Sequence, residues 1–152
     1  GTCIAPATYK ELAKHPNIVA TKEACGNISD IAKTRALCGD ELNMYSGDDN
    51  QVVPIMSLGG LGVISVLSNI CPQETHDICQ LFLDGKTKES AALQLKYLKL
   101  MNDMFIDVNP IPVKEAMNLM GMDVGPCRLP LVELSADAKA HLTATLKEYH
   151  LV

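Results

Sequence analysis

Tryptophan is absent and phenylalanine occurs only twice, so aromatic side chains make up 4% of the 152 residues. A core without large rings must be built from Leu, Ile, Val, Ala and Met, which suits helices packed on a sheet. Basic clusters are lacking too. The 13 Lys and Arg are scattered among 18 Asp and Glu, for a net charge of -5, so there is no electrostatic footprint for nucleic acid or anionic lipid. Small metabolites or proteins are the expected partners. From Gln51 to Gln73 the chain carries no charge at all, yet Pro54, Gly59, Gly60, Gly62, Ser57, Ser65, Ser68 and Asn69 interrupt it. A membrane span needs about 20 mostly apolar residues, and none is expected here. The opening "GTCIAPATYKEL" has no basic stretch followed by an apolar run, so no secretory signal is expected and the expected address is cytoplasmic.

The six cysteines (Cys3, Cys25, Cys38, Cys71, Cys79, Cys127) include no CxxC pair, and the four histidines show no HxxxH or HExxH spacing. Free, mostly buried thiols are therefore expected, with no zinc site. Hydrophobic residues make up 47% of the chain, enough for one core, so the sequence reads as one domain or part of one.

Apolar spacing alternates between two periods. "PATYKELAKH" reads as a helix opened by Pro6 and ended before Pro16, "NIVATKEA" as a strand, and "NISDIAKTRALCG" as a helix capped by Asn27 or Ser29 and stopped by Gly39. The cycle repeats with a strand in "LNMYSG", a short helix in "DDNQVVPIMSLG" started by Asp48 or Asp49, and a β-branched strand in "GVISVLSN". Strands separated by helices pair in parallel, so an α/β sheet is expected. Beyond Asn69, "QETHDICQLFLDG", "TKESAALQLKYLKLMNDMFID", "IPVKEAMNLMGM" and "SADAKAHLTATLKEYH" are helical by period, the last beginning near Ser135 and Asp137. The expected division is residues 1–70 with the sheet and residues 71–152 as an all-helical tail.

About three strands cannot close a barrel, which needs about eight before side chains fill its interior. The first segment also opens with a helix that has no strand before it. The expectation is the C-terminal half of a larger fold, or a half that pairs with something else.

One lysine stands out. In "NIVATKEA", Ala20, Lys22 and Ala24 share one face of the strand, and Val19, Thr21 and Glu23 share the other. An amine held among small apolar neighbours loses its charge more readily, and a neutral amine attacks a carbonyl to form a Schiff base. The plain alternative is a strand-end lysine that lays its stem over apolar surface and pairs with Glu23 or another carboxylate. Other motifs carry less. "GGLG" (Gly59–Gly62) precedes a strand instead of following one and reads as a tight turn, not a phosphate cradle. Ser65 and Ser68 have no recognisable histidine partner. Gly47 permits a close approach of the backbone, and of Asp48 and Asp49 at least one caps the next helix. Met101, Met104, Met117, Met120 and Met122 read as core filler.

"HPNIVATKEACGNISD" resembles the segment that carries the Schiff-base lysine in the dihydrodipicolinate synthase family, with Lys22 in the lysine position. Ala20, Thr21, Cys25 and Asn27 depart from the family's usual glycine, aliphatic residue, threonine and aspartate. The resemblance continues through "YSGDD", "GGLGVISVLSN" and "NPIPVKEAMNLMGMDVGPCRLPLVELS", and so covers nearly the whole chain. It implies the C-terminal part of a (β/α)8 barrel followed by a helical C-terminal domain, with Lys22 on the sixth strand, "NMYSGDD" on the seventh and "GVISVLSN" on the eighth.

The activity implied is condensation of pyruvate with aspartate semialdehyde, on the route to lysine and diaminopimelate. Its intermediate is a covalent pyruvate imine, with no separate cofactor and no metal. Lys22 is the implied catalytic residue; the main chain of Ile64 touches the pyruvyl group, and Gly47 and Asp48 belong to the substrate-binding set. The family's proton-relay tyrosines, carboxylate-binding hydroxyls and entrance arginine correspond to no residue here. The implied assembly is a homotetramer, or this chain with a complementary N-terminal half. The competing readings are another pyruvate-dependent lyase such as N-acetylneuraminate lyase, and a half-barrel without catalysis.

Overall fold

The computed structural model describes residues 2–152. Up to Val63 helix and strand alternate: helix α1 (Pro6–Leu12), strand β1 (Ala20–Glu23), helix α2 (Ile28–Cys38), strand β2 (Asn43–Ser46), helix α3 (Val52–Ser57) and strand β3 (Gly62–Val63). Four helices follow, α4 (Pro72–Leu83), α5 (Thr87–Asp103), α6 (Ile111–Leu119) and α7 (Ala136–Glu148). The three strands form one parallel sheet in the order β1-β2-β3, the arrangement that helix crossovers require.

Local chemistry sets the boundaries. Proline opens α1, where a missing N–H costs nothing. Of the two candidate caps for α2 it is Asn27 that acts: its Oδ1 accepts from the N–H groups of Ser29 (3.1 Å) and Asp30 (3.3 Å). Gly39, with φ of 54°, ends that helix. Ser135 Oγ accepts from Ala138 N–H to start α7.

The chain forms two compact units. The first comprises the residues up to Ser65 together with Asp77–Gln94. Its centre is Ile31 from α2, Met44 from β2 and Ile55 from α3, with Leu58 against them. Arg35 of α2 donates from Nε to Leu58 O at 3.1 Å, which ties the end of α3 to α2. Gln94 accepts from Val53 N–H and donates to Asn50 O, both at 2.8 Å, and so satisfies backbone groups at the start of α3. A Cβ at Gly60 would fall 2.7 Å from Ile55 Cγ2 and 2.9 Å from Ile55 O, so only glycine lets the chain turn this tightly out of α3 and into β3.

The second unit comprises Val66–His76 and Leu95–Val152. Leu67, Ile70, Leu100, Met101, Met104, Val113, Ala116, Leu142 and Leu146 are buried in it. Asp103 is buried with partners: Thr145 Oγ1 donates to its Oδ2 at 2.6 Å, and His141 Nε2 lies 3.1 Å from its Oδ1. The rings of Tyr97 and Tyr149 stack at 5.3 Å, and the Tyr149 hydroxyl donates to Lys96 O.

Four sequence expectations change. The strand expected across "GVISVLSN" is only Gly62–Val63; Leu67–Asn69 is a 3-10 turn, because an apolar β-branched run states burial but not conformation. Helix α5 stops at Asp103 instead of running on to Asp107. All six cysteines are free, but only Cys38 and Cys71 are buried, while Cys3 and Cys25 are exposed. Of the methionines, Met101 and Met104 are core residues, whereas Met122 is exposed. Among the described residues no helix is long and apolar enough to cross a membrane.

Candidate active site

The alternation read in β1 holds. Thr21 and Glu23 are buried, whereas Ala20, Lys22 and Ala24 lie on the exposed face. The enclosure expected around Lys22 is not present among the described residues. Ala20, Lys22 and Ala24 stay exposed because three strands do not curve far enough to close over that face.

Register then decides the lysine's neighbours. Lys22 pairs with Tyr45, and Tyr45 pairs with Gly62, so their side-chain positions fall on one face. The ladder runs one step further at the C-terminal ends of the strands: Gly47 N–H donates to Glu23 O at 2.7 Å, and Ile64 N–H donates to Ser46 O at 2.8 Å. Gly47 thus sits beside Ala24 and beneath the lysine. A Cβ there would meet Ala24 Cβ at 2.8 Å, Lys22 Cγ at 2.9 Å and Lys22 Cε at 3.0 Å. The close approach expected of Gly47 is therefore toward a side chain of its own sheet. Ile64 is half exposed directly after β3, its amide used in the ladder.

Glu23 does not pair with Lys22. It points to the buried side, where its Oε1 accepts from Cys25 N–H at 3.0 Å. The Tyr9 hydroxyl from α1 hydrogen-bonds with Thr21 and Glu23; its acidity is weakened first by burial, and the Glu23 carboxylate adds to that. These contacts hold the C-terminal end of β1 from behind.

Asp48 occupies the N-cap position of the 3-10 turn Asp49–Gln51, whereas the helix α3 that it was expected to cap begins from Gln51. Burial pushes its carboxyl above the ordinary range; the backbone of Asn50 opposes the shift and the neighbouring Asp49 adds to it. Ser46 Oγ accepts from Asp48 N–H and donates to Asp48 O, which fixes the loop after β2. Lys22, Gly47, Asp48 and Ile64 thus gather at the C-terminal ends of three adjacent parallel strands, the face on which barrel enzymes build their sites. Tyr45 belongs to the same face and was not singled out from sequence. Only strand register, which no local pattern encodes, sets it beside Lys22. Among the described residues no three His, Cys, Asp or Glu side chains gather to hold a metal ion. What the arrangement offers chemically is a primary amine, open to solvent, over a glycine floor.

Comparison with known proteins agrees with this fold. The 4-hydroxy-tetrahydrodipicolinate synthase of Clostridium perfringens is 52% identical over 152 residues, covering all of this chain and 52% of the relative. The solved dihydrodipicolinate synthase of Cyanidioschyzon merolae, with lysine bound, superposes with a TM-score of 0.94 at 38% identity, over 100% of this chain and 52% of that one. The chloride-inhibited enzyme of Acinetobacter baumannii, complexed with pyruvate, gives 0.93 at 32% identity, over 97% and 51%. The chain spans about half the length of the curated relatives it matches. Residues 1–149 match the sequence profile of the dihydrodipicolinate synthetase family, and the chain belongs to that family.

Proposed function

We propose that this chain carries the imine-forming part of a 4-hydroxy-tetrahydrodipicolinate synthase, which condenses pyruvate with aspartate semialdehyde. The observation that carries the reading is Lys22, on the open face at the C-terminal ends of three parallel strands, its stem lying over Gly47 with no carboxylate partner among the described residues. The names of the relatives and the pyruvate held by the Acinetobacter baumannii enzyme support it.

In this reading the neutral amine of Lys22 attacks the pyruvate carbonyl and water leaves. The resulting iminium cation draws electrons from the methyl carbon, which loses a proton to become an enamine and attacks the aldehyde of the second substrate. The backbone at Ile64 lies against the pyruvyl group, Gly47 leaves room for the lysine stem, and Asp48 faces the second substrate. The sheet is the last part of a (β/α)8 barrel, with residues 1–70 in the barrel and 71–152 as a helical C-terminal domain. The working assembly is a cytoplasmic homotetramer, or this chain with a complementary N-terminal half.

Intact mass after incubation with pyruvate and borohydride tests the reading, with Lys22→Ala as control. One reduced pyruvyl group, mapped to Lys22 and absent from the control, is the expected result. An adduct on another lysine overturns the assignment. No adduct in a sample shown by circular dichroism to be folded makes this chain a scaffold without catalysis of its own.

A further inference from the structure

Cys3 and Cys25 differ from the other thiols in being exposed. They also line one cleft of about 720 Å³, together with Tyr9, Glu23 and Ala24. The cleft lies where the chain enters α1 and leaves β1, so two thiols separated in sequence line the same opening. The Cys25 side chain is held in place there: its Sγ accepts from Asn27 N–H at 3.4 Å, and its own N–H is tied to Glu23 Oε1. Charge on Cys3 is felt at the Cys25 sulfur.

We propose that Cys3 and Cys25 are a modification site that forms a reversible disulfide by exchange with a low-molecular-weight disulfide of the glutathione type. Cys3, in the exposed segment ahead of α1, meets the oxidant first. Its thiolate attacks one sulfur of the oxidant, forming a mixed disulfide and expelling one small thiol. Cys25 then attacks the Cys3 sulfur and expels the second. Two protein S–H bonds and the oxidant's S–S bond are lost, one protein S–S bond and two small thiols are formed, and two electrons pass from the protein to the oxidant. Burial pushes the Cys25 thiol up, opposed by the Asn27 backbone and reinforced by Glu23, so the second, resolving step speeds up as pH rises. The bridge ties the segment before α1 to the turn that directly follows the Lys22 strand. The pair stands independently of any chemistry assigned to Lys22.

The test treats the reduced 152-residue chain with excess oxidised glutathione, blocks the remaining thiols and measures intact mass and a proteolytic map. The wild type is expected to lose two hydrogens and to yield a Cys3–Cys25 cross-linked peptide. Cys25→Ser is expected to retain glutathione on Cys3 without losing two hydrogens, and Cys3→Ser to form no such bridge. A wild type that stops at mixed disulfides, a bridge mapped between other cysteines, or a single variant that still loses two hydrogens overturns the proposal. If a variant fails to fold by circular dichroism, the wild-type peptide map alone decides.

Discussion

An alanine at position 47 tests how Lys22 is seated. The added Cβ falls 2.8 Å from Ala24 Cβ, 2.9 Å from Lys22 Cγ and 3.0 Å from Lys22 Cε. Ala24 Cβ is fixed to its backbone, and Cγ lies near the anchored root of the lysine, so only Cε yields without strain. Gly47 does not adopt a left-handed φ, so the substitution carries no backbone penalty and its cost is steric. Overpacking of this kind costs about 1–3 kcal/mol. For a chain of this length each kcal/mol lowers the midpoint by about 2–4 °C, so thermal melting followed by circular dichroism resolves the effect. The Lys22→Ala background sharpens the test. Two of the three close contacts vanish there, so Gly47→Ala costs less, with a coupling of about 0.5–3 kcal/mol expected for touching side chains. The same variant slows trapping of Lys22 by pyruvate and borohydride, because the stem is pushed off its floor. Equal destabilisation in both backgrounds, with unchanged trapping, would refute the idea that Gly47 makes room for the lysine.

Thr145→Val removes the hydroxyl that donates to buried Asp103 and leaves that carboxylate oxygen without its partner. A hydrogen bond to a charged group contributes about 1.5–3 kcal/mol, and a loss of that size is expected in urea unfolding; a variant as stable as the wild type contradicts it. Burial pushes the Cys71 thiol up from 9.0 to about 12, with Glu74 adding to the shift. Between those values the unfolded chain has released the proton and the folded chain still holds it. Stability therefore falls as pH rises, by at most about 1.4 kcal/mol per pH unit from this group. Cys71→Ala is expected to show a shallower decline over that alkaline window, and parallel slopes for the two proteins would show that the thiol contributes nothing.

Much of the first unit was legible in the sequence because its signals are local. A period of two over Ala20–Glu23 separated buried Thr21 and Glu23 from Lys22, and Asn27 and Ser29 marked the start of α2, of which Asn27 is the one that accepts from the next amides. The alternation of periods also led to a parallel sheet, since strands in one direction need a crossover between them. Local signals misled at "GVISVLSN", where apolar, β-branched residues serve a two-residue strand and then a 3-10 turn. They misled again on the cysteines, whose exposure depends on what packs over them and not on their own chemistry.

By itself the sequence determined most of the helices and strands, which face of β1 carries the amine, and the proline that opens α1, all of which depend on the geometry of a few consecutive residues. Tertiary structure alone decided that Tyr45 stands beside Lys22, that Gly47 forms the floor beneath it, that Glu23 turns away to Tyr9 and Cys25, and that Cys3 and Cys25 share a cleft. Apart from the local bond between Glu23 and Cys25, those pairings join residues well separated along the chain, and their distances are set by how helices and strands pack together, which no short stretch of chain encodes.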